Sequence, residues 1–287
     1  MNQSWLDQLL SPVSNTGTAP QEPASLPEQA IQCIERSDLT VVRFSGQDAA
    51  GFLQSQMCND HSAVNASTAQ LDGYCSPKGR LLALPTVAAD ASGEDYFWLL
   101  SKDLVEPVLK RLSMFVLRSD VSIDVQSHWV VAGLAAKTDL LDTALEPWFG
   151  KPMAQAMSSW TFGEVTLIKA HSGTGYSRVL MFGPSESVKT SLMACLEEHS
   201  ENMSEPLFSS QTSWTLGDIH AGVPTIVAKT QDAFVPQMVN LEQLNGLSFT
   251  KGCYPGQEIV ARMQYLGKLK RTMVRFSTAY ALSLIHI

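Results

Sequence analysis

The spacing of apolar residues along the chain changes repeatedly between the two-residue period of strands and the longer period of helices. The first half predicts, in order, a strand at 39–44, a helix at 47–57, a hairpin with arms at 69–75 and 81–88, a sheet segment at 96–100, a helix at 103–115 and a strand at 121–125. Phe52 and Leu53 fall on the inner face of the first helix. This β-α-β-β-α-β order is that of a ferredoxin-like unit.

A second unit follows the first. Strands are predicted at Trp129–Ala132, Val165–Lys169 and Arg178–Phe182, and a helix is predicted at Ser185–His199. The glycine-rich turn at residues 171–176 joins two of these strands and lacks the G-x-x-x-x-G-K-[ST] pattern of a phosphate loop. It therefore indicates a hairpin rather than a nucleotide site.

The chain divides into five predicted regions. Residues 1–28 form a predicted disordered leader, because after a short amphipathic start residues 11–28 are rich in Ser, Pro, Thr and Ala and lack hydrophobic periodicity. The other regions are a first ferredoxin-like unit at 29–126, a second unit at 127–212, a return segment at 213–267 and a final segment at 268–287.

Composition narrows the functional classes. The formal net charge of −8 and the sequence pI near 5.2 oppose wide contact with a phosphate backbone, so no direct nucleic-acid binding is expected. One cluster of basic residues is an exception to the net negative charge. It is either the solvated side of a helix and a strand or a binding site for an anionic ligand. Its members are Arg262, Lys268, Lys270, Arg271 and Arg275.

Cysteine and histidine spacing indicates neither a disulfide framework nor a metal site. The five cysteines contain no C-x-x-C pair, and the six histidines contain no pair at ligand spacing. The first 35 residues lack Lys and Arg, and no apolar run approaches the ~20 residues that span a bilayer. We therefore expect a cytoplasmic protein without a membrane partner.

Most of the functional signal lies in Lys251–Glu258, with the sequence Lys-Gly-Cys-Tyr-Pro-Gly-Gln-Glu. Glycines tolerate positive φ and Pro255 fixes its own φ, which predicts a rigid loop. A helix is predicted from about Gln257, with Glu258 and Arg262 as an i,i+4 pair.

Cys253 is the candidate functional thiol of this loop. A cation at Lys251 and a following helix N-terminus both favour the thiolate. The alternative interpretation is a buried free cysteine on a turn, since cysteine is among the most buried residue types.

This motif, followed by Arg262, resembles the signature of YgfZ-type folate-binding proteins, which are relatives of the glycine cleavage T-protein, an aminomethyltransferase. Trp214, Ala221–Pro224 and Phe234–Gln237 with Asn240 are similar to the same family in the same order. The resemblance implies an α+β, T-protein-like fold with two ferredoxin-like units around a central cleft and a small C-terminal β-barrel, here cut short.

The resemblance also implies a function. Members are implicated in assembly or repair of iron–sulfur enzymes, including those that modify tRNA, so an accessory factor is expected rather than an enzyme. Tetrahydrofolate would be the bound ligand, stacked on Trp214, with its carboxylates met by Arg262 or Lys251. Partners would be iron–sulfur enzymes or carriers. The other residues assigned to folate are Tyr254, Gln257, Glu258 and Asn240.

Three departures from the T-protein pattern keep alternatives open. Residues 81–84 carry no carboxylate where the transferases have one, His220 stands where they tend to have Glu, and Leu39 replaces an aromatic associated with folate. The alternatives are a folate-dependent aminomethyltransferase, a thiol oxidoreductase acting through Cys253 with a distant cysteine such as Cys75, and a folate-binding remnant without chemistry.

The end of the chain departs from the family as well. Residues 271–276 are similar to the first strand of the family's barrel, whereas the residues from about 279 onward resemble translated adapter sequence. We therefore expect the terminal residues to be non-native.

Overall fold

The computed structural model describes residues 30–149, 155–197 and 207–277. The predicted leader at 1–28 and the terminal residues from about 279 lie outside this range.

The described strands occur in the same order as the predicted ones, with additional short members. They are β1 (Gln32–Glu35), β2 (Leu39–Ser45), β3 (Gln70–Leu71), β4 (Tyr74–Cys75), β5 (Leu81–Ala83), β6 (Thr86–Ala89), β7 (Tyr96–Ser101), β8 (Ser122–Val125), β9 (Trp129–Lys137), β10 (Ser159–Phe162), β11 (Val165–Ala170), β12 (Tyr176–Pro184) and β13 (Leu207–Ser209).

The described helices are α1 (Ala49–Gln56), α2 (Val105–Val116), α3 (Thr138–Phe149), α4 (Ser185–Glu197), α5 (Gln211–Ala221) and α6 (Gln257–Tyr265). Short 3-10 helices lie at His61–Ala63, Lys102–Leu104, Ala228–Thr230, Pro236–Val239 and Leu241–Leu244. Helix α3 was not predicted, because its apolar positions form only a short periodic run before Pro147.

The first unit is a five-stranded sheet in the order β3-β6-β7-β2-β8 with antiparallel neighbours. Successive side chains of β7 point to opposite faces of the sheet. Trp98 packs into the core with Phe44, whose ring centroid is 4.5 Å away, and that core also holds Leu53 of α1 and Leu112 of α2. The ferredoxin-like prediction for this unit is confirmed.

The second unit is a six-stranded sheet in the order β10-β11-β12-β9-β1-β13. Leu141 of α3 and Leu192 of α4 bury against it. The hairpin predicted at residues 171–176 is confirmed by the antiparallel pairing of β11 with β12. Residues 32–35, which the predicted boundary at residue 29 assigned to the first unit, instead form β1 between β9 and β13, so that boundary is corrected.

The two sheets pack face to face. Phe97 and Leu99, on the face of β7 opposite Trp98, join a shared cluster with Phe182 of β12. The ring centroids of Phe97 and Phe182 are 5.8 Å apart. Both faces of β7 are therefore buried, which accounts for its almost continuous apolar sequence.

The return segment after α5 packs mainly on the first unit. Ile226, Val239, Leu241 and Leu244 complete that unit's core. The strand predicted at residues 271–276 is not one: in the described part of the chain these residues have no regular secondary structure, although Met273 N–H donates to Met238 C=O at 2.8 Å.

Within the described ranges, none of the helices combines the length and apolar character needed to cross a bilayer.

Candidate functional site

The loop at residues 251–256, which we call the motif loop, is wedged between the C-terminal end of α1 and the hairpin turn at residues 76–79. Gly256 takes φ of 85°, and a Cβ placed there would lie 2.3 Å from the Ser76 carbonyl oxygen and 2.7 Å from Gly79 Cα. Only glycine fits this approach. The motif loop and the hairpin turn at residues 76–79, distant in sequence, are thus in direct contact.

Lys251 fixes the other side of the motif loop. Its Nζ donates to the carbonyl oxygens of Gln54 at 2.5 Å, Met57 at 2.7 Å and Asn59 at 2.8 Å. Carbonyls at a helix C-terminus lack hydrogen-bond donors within the helix and carry partial negative charge. A buried ammonium supplies these carbonyls with both hydrogen bonds and positive charge. Burial lowers the pKa of Lys251.

This geometry corrects the predicted role of Lys251. The ammonium is directed into the first unit rather than towards the thiol or a folate carboxylate. Lys251 is therefore an anchor of the motif loop. Although it lies two residues before Cys253 in sequence, its ammonium binds carbonyl oxygens of the first unit and not the Cys253 thiol.

Cys253 is the exposed cysteine of the chain, whereas Cys33, Cys58, Cys75 and Cys195 are buried, and all five are free thiols. The alternative interpretation of Cys253 as a buried cysteine on a turn is therefore wrong. The neighbouring Gly252 is also exposed, and a Cβ there would meet no atom within 4 Å. The tip of the motif loop is open to another molecule.

Tyr254 turns inward from the same loop. Its ring is 6% exposed and its centroid lies 5.6 Å from Lys251 Nζ. Burial raises the pKa of the phenol, and the nearby Cys58 and Cys75 reinforce the shift. Tyr254 anchors the loop in the first core, and in this conformation it offers little surface to a ligand.

A layer of buried titratable groups lies beneath the motif loop. Asp72 is fully buried and accepts hydrogen bonds from Asn59 N–H at 2.7 Å and Gln70 Nε2 at 3.0 Å. Burial raises its pKa to about 7, against the opposing effects of these bonds and of Lys251.

His61 belongs to the same layer. It is 2% exposed, neither ring nitrogen has a hydrogen-bond partner among the described residues, and its ring centroid is 4.5 Å from that of Tyr96. Burial lowers its pKa to about 4. Sequence reasoning missed both residues; the only signal for Asp72 was a carboxylate between Leu71 and Gly73 on an apolar hairpin arm.

Helix α6 begins at Gln257 as predicted. Glu258 and Arg262 form the predicted i,i+4 pair at 2.7 Å, with both side chains largely exposed. Gln257 Nε2 lies 3.5 Å from the Gly252 carbonyl oxygen. The buried residue of the helix is Val260, whereas Ile259 and Leu266 are exposed.

Asn240 lies between two short 3-10 helices and holds the final segment. It adopts a left-handed conformation with φ of 56°. Its Nδ2 donates to Met273 C=O at 2.9 Å, and its Oδ1 accepts from Thr272 Oγ1 at 2.8 Å. The amide is therefore engaged within the protein.

Trp214 lies elsewhere, in the cluster between the two sheets. It is 3% exposed, and a Cβ on Gly133 would come within 2.5 Å of its ring. The guanidinium carbons of Arg36 and Arg178 lie 4.9 Å and 4.6 Å from the ring centroid. Stacking of a pterin on Trp214 stays a prediction, and it requires one guanidinium to move away.

Arg178 is itself held in place. It pairs with Asp218 at 2.8 Å and donates to the carbonyl oxygen of Trp214 at 3.0 Å. Through the described ranges, no group of three or more His, Cys, Asp or Glu side chains is arranged to hold a metal ion.

Comparison with solved structures identifies a protein with a similar fold. The aminomethyltransferase T of the glycine cleavage system from Bartonella henselae superposes with a TM-score of 0.60 at 9% identity, covering 83% of this chain and 64% of that chain, which is less than two thirds of it. At that identity the likeness shows the fold alone. Fold and motif loop together define a T-protein-like α+β protein.

Sequence relatives define the family. "tRNA-modifying protein YgfZ" of Colwellia psychrerythraea is 31% identical over 250 residues, covering 87% of this chain and 72% of the relative, and that of Hamiltonella defensa is 30% identical over 252 residues. The Yersinia pestis protein of the same name is 31% identical over 263 residues, or 90% of this chain and 74% of the relative. No family profile matches the chain. The chain belongs to the YgfZ family of tRNA-modifying proteins.

Proposed function

We propose that this protein is a folate-binding accessory factor for the assembly or repair of iron–sulfur enzymes, including those that modify tRNA. Its ligand is tetrahydrofolate, its functional thiol is Cys253, and its partners in the cytoplasm are iron–sulfur enzymes or carriers. The observation that carries the proposal is the exposure of Cys253 on a loop fixed at both ends while the other four cysteines are buried.

The anchored loop suits a thiol that meets a macromolecule. A thiol is chemically accessible only where solvent reaches it, and a fixed backbone reduces the entropy lost on docking. Open space beside Gly252 permits another chain to approach the loop tip closely.

The folate part of the proposal is supported by the T-protein-like fold and by α6. Among the described residues, Arg262 pairs with Glu258 in an exposed contact, and such pairs are weak in water. Its guanidinium can therefore exchange Glu258 for a carboxylate of tetrahydrofolate, with Gln257 one turn away.

The fold likeness also favours a second candidate, a folate-dependent aminomethyltransferase. Strand β5, Leu81–Ala83, carries no carboxylate, and both oxygens of the buried Asp72 already accept hydrogen bonds. A thiol oxidoreductase is disfavoured similarly, because Cys75 is buried beside Cys58 rather than presented to Cys253.

The thiol is tested by replacing the native gene with a Cys253→Ala copy and measuring several iron–sulfur enzyme activities and the content of thiolated tRNA nucleosides. We expect losses equal to those of a gene deletion. Lys110→Ala, an exposed substitution on α2 outside the motif loop, is the matched control and should behave as wild type. Normal activities in the Cys253→Ala strain at equal protein abundance would refute the proposal.

Folate binding is tested separately by calorimetric titration of the purified full chain with tetrahydrofolate. Arg262→Gln should weaken binding about tenfold, the worth of one charge-assisted hydrogen bond, whereas Arg118→Gln on a distant exposed surface should not. An absence of saturable heat would remove the ligand from the proposal and leave the thiol to its own test.

A further inference from the structure

The hairpin turn at residues 76–79, which the motif loop touches, is itself held by a third part of the chain. We call residues 231–234 the brace. Asp232 N–H donates to Leu81 C=O at 2.8 Å, and Leu81 N–H donates to Phe234 C=O at 2.8 Å. The brace therefore pairs, through its backbone, with the hairpin arm that follows the turn.

A side-chain hydrogen bond connects the brace to the turn directly. The hydroxyl of Ser76, which is buried, donates to Asp232 Oδ1 at 2.7 Å, a distance typical of a bond to an ionised carboxylate. The carbonyl oxygen of Ser76 accepts from Gly79 N–H at 2.8 Å and closes the turn. A Cβ on Gly256 would lie 2.3 Å from that same oxygen, so Asp232 holds the residue that the motif loop contacts most closely.

The backbone of Asp232 is in a conformation that most residues avoid. Its φ is 58°, in the left-handed region that glycine, asparagine and aspartate tolerate best. Such conformations persist where surrounding contacts hold them, and they are concentrated at functional sites. Asp232 is exposed, so burial in a core does not impose its conformation, whereas the bonds to the hairpin do.

We propose that Asp232 is a positioning residue for the Cys253 thiol. Through Ser76 it fixes the hairpin turn, and the turn fixes Gly256, so the loop that carries Cys253 is held at its end by Asp232 as it is held at its start by Lys251. The functional consequence rests on the proposed role of Cys253, whereas the effect of Asp232 on the order of the motif loop does not.

Hydrogen exchange of the purified full chain, measured by mass spectrometry, reports on this contact. Ile259 N–H and Val260 N–H donate to Gly256 C=O at 3.1 and 3.2 Å, so these amides exchange faster when Gly256 leaves the turn. A peptide spanning residues 252–260 follows them. A peptide from β12, in the second unit, reports on any general loss of stability.

Two variants each remove one partner of the side-chain bond. Ser76→Ala removes the donor, and Asp232→Gly removes the acceptor while keeping a residue that tolerates positive φ. Each should accelerate exchange at residues 252–260 about tenfold, the effect of losing one hydrogen bond to a charged group, and leave β12 unchanged. The double variant should exchange no faster than either single variant. Asp232→Asn, which keeps an acceptor oxygen, should resemble wild type.

A second hydroxyl–carboxylate bond of the same kind provides the matched control. Ser92 Oγ donates to Asp90 Oδ2 at 2.6 Å in another turn, and Ser92→Ala should leave exchange at residues 252–260 unchanged. Unchanged exchange at residues 252–260 in Ser76→Ala and Asp232→Gly overturns the proposal. Equal acceleration in β12, or in Ser92→Ala, overturns it as well, because the effect would then not be local to the motif loop.

The functional consequence is measured by replacing the native gene with an Asp232→Gly or an Asp232→Asn copy. At equal protein abundance, Asp232→Gly should lower iron–sulfur enzyme activities severalfold and Asp232→Asn should not. Normal activities in Asp232→Gly, together with their loss in Cys253→Ala, overturn the positioning role and leave the proposed function intact. Normal activities in both, together with accelerated exchange at residues 252–260, refute the proposed function of the thiol and support the role of Asp232 in ordering the motif loop.

Discussion

Removal of the Lys251 ammonium should loosen the motif loop without directly altering the thiol's chemistry. Lys251→Met keeps most of the aliphatic stem and deletes three charge-assisted hydrogen bonds to carbonyls at 2.5 to 2.8 Å. Each such bond contributes about 1.5–3 kcal/mol, and the cost of burying the ammonium offsets part of the sum. We expect a net loss of about 2–4 kcal/mol in the free energy of unfolding.

This loss should lower the melting temperature by roughly 5–12 °C for a chain of this size, as measured by scanning calorimetry. Lys270→Met, which removes an exposed ammonium, is the matched control and should change little. The alkylation rate of Cys253 with iodoacetamide provides a second readout. We expect the rate at pH 7 to be the same in Lys251→Met as in the wild type, because the ammonium is directed towards the carbonyl oxygens of the first unit and not towards the thiol.

The reasoning fails if Lys251→Met retains full stability, or if its Cys253 is alkylated severalfold more slowly at pH 7 while the protein stays folded. The first result would mean that the three bonds exist without energetic consequence. The second would mean that the ammonium acts on the thiolate after all.

The remaining predictions concern the buried layer and two glycines. The folded-state pKa of Asp72 is raised from 3.8 to about 7, so the native state retains a proton that the unfolded chain loses, and stability should fall as pH rises through this window. The free energy of unfolding of the wild type, relative to that of Asp72→Asn, should therefore fall by on the order of 4 kcal/mol between pH 4 and pH 7, as measured by urea titrations. The pKa of His61 is shifted in the opposite direction, but its effect is common to both proteins and cancels. A constant difference would contradict the assignment. Gly133→Ala should destabilise the protein by about 1–3 kcal/mol through overlap with Trp214, whereas Gly51→Ala, within a helix and with open space, should be neutral or slightly stabilising; equal effects would contradict the packing.

Local patterns predicted the two ferredoxin-like units and the motif loop well, because alternation, helical spacing and glycine chemistry are properties of neighbouring residues. The location of β1 in the second sheet was not predictable, since its partners β9 and β13 are about a hundred or more residues away in sequence.

The direction of a long side chain was not predictable either. Spacing placed Lys251 near Cys253, but four rotatable bonds allowed the ammonium to reach α1 instead. Likewise, the buried state of Trp214 depends on Gly133 and on two arginines from separate segments, none of which its own neighbours reveal.

The place of β1 has a consequence for how the chain is synthesised and dissected. β13 joins its sheet by pairing with β1. β1 is synthesised before β9 and β13, so its two edges stay unpaired until residues 129–209 have left the ribosome. An open edge on a nascent strand invites pairing with other chains, so this interval carries a risk of aggregation. A fragment beginning at residue 127 would lack the strand between β9 and β13, whereas all five strands of the first sheet lie in one continuous stretch, residues 39–125.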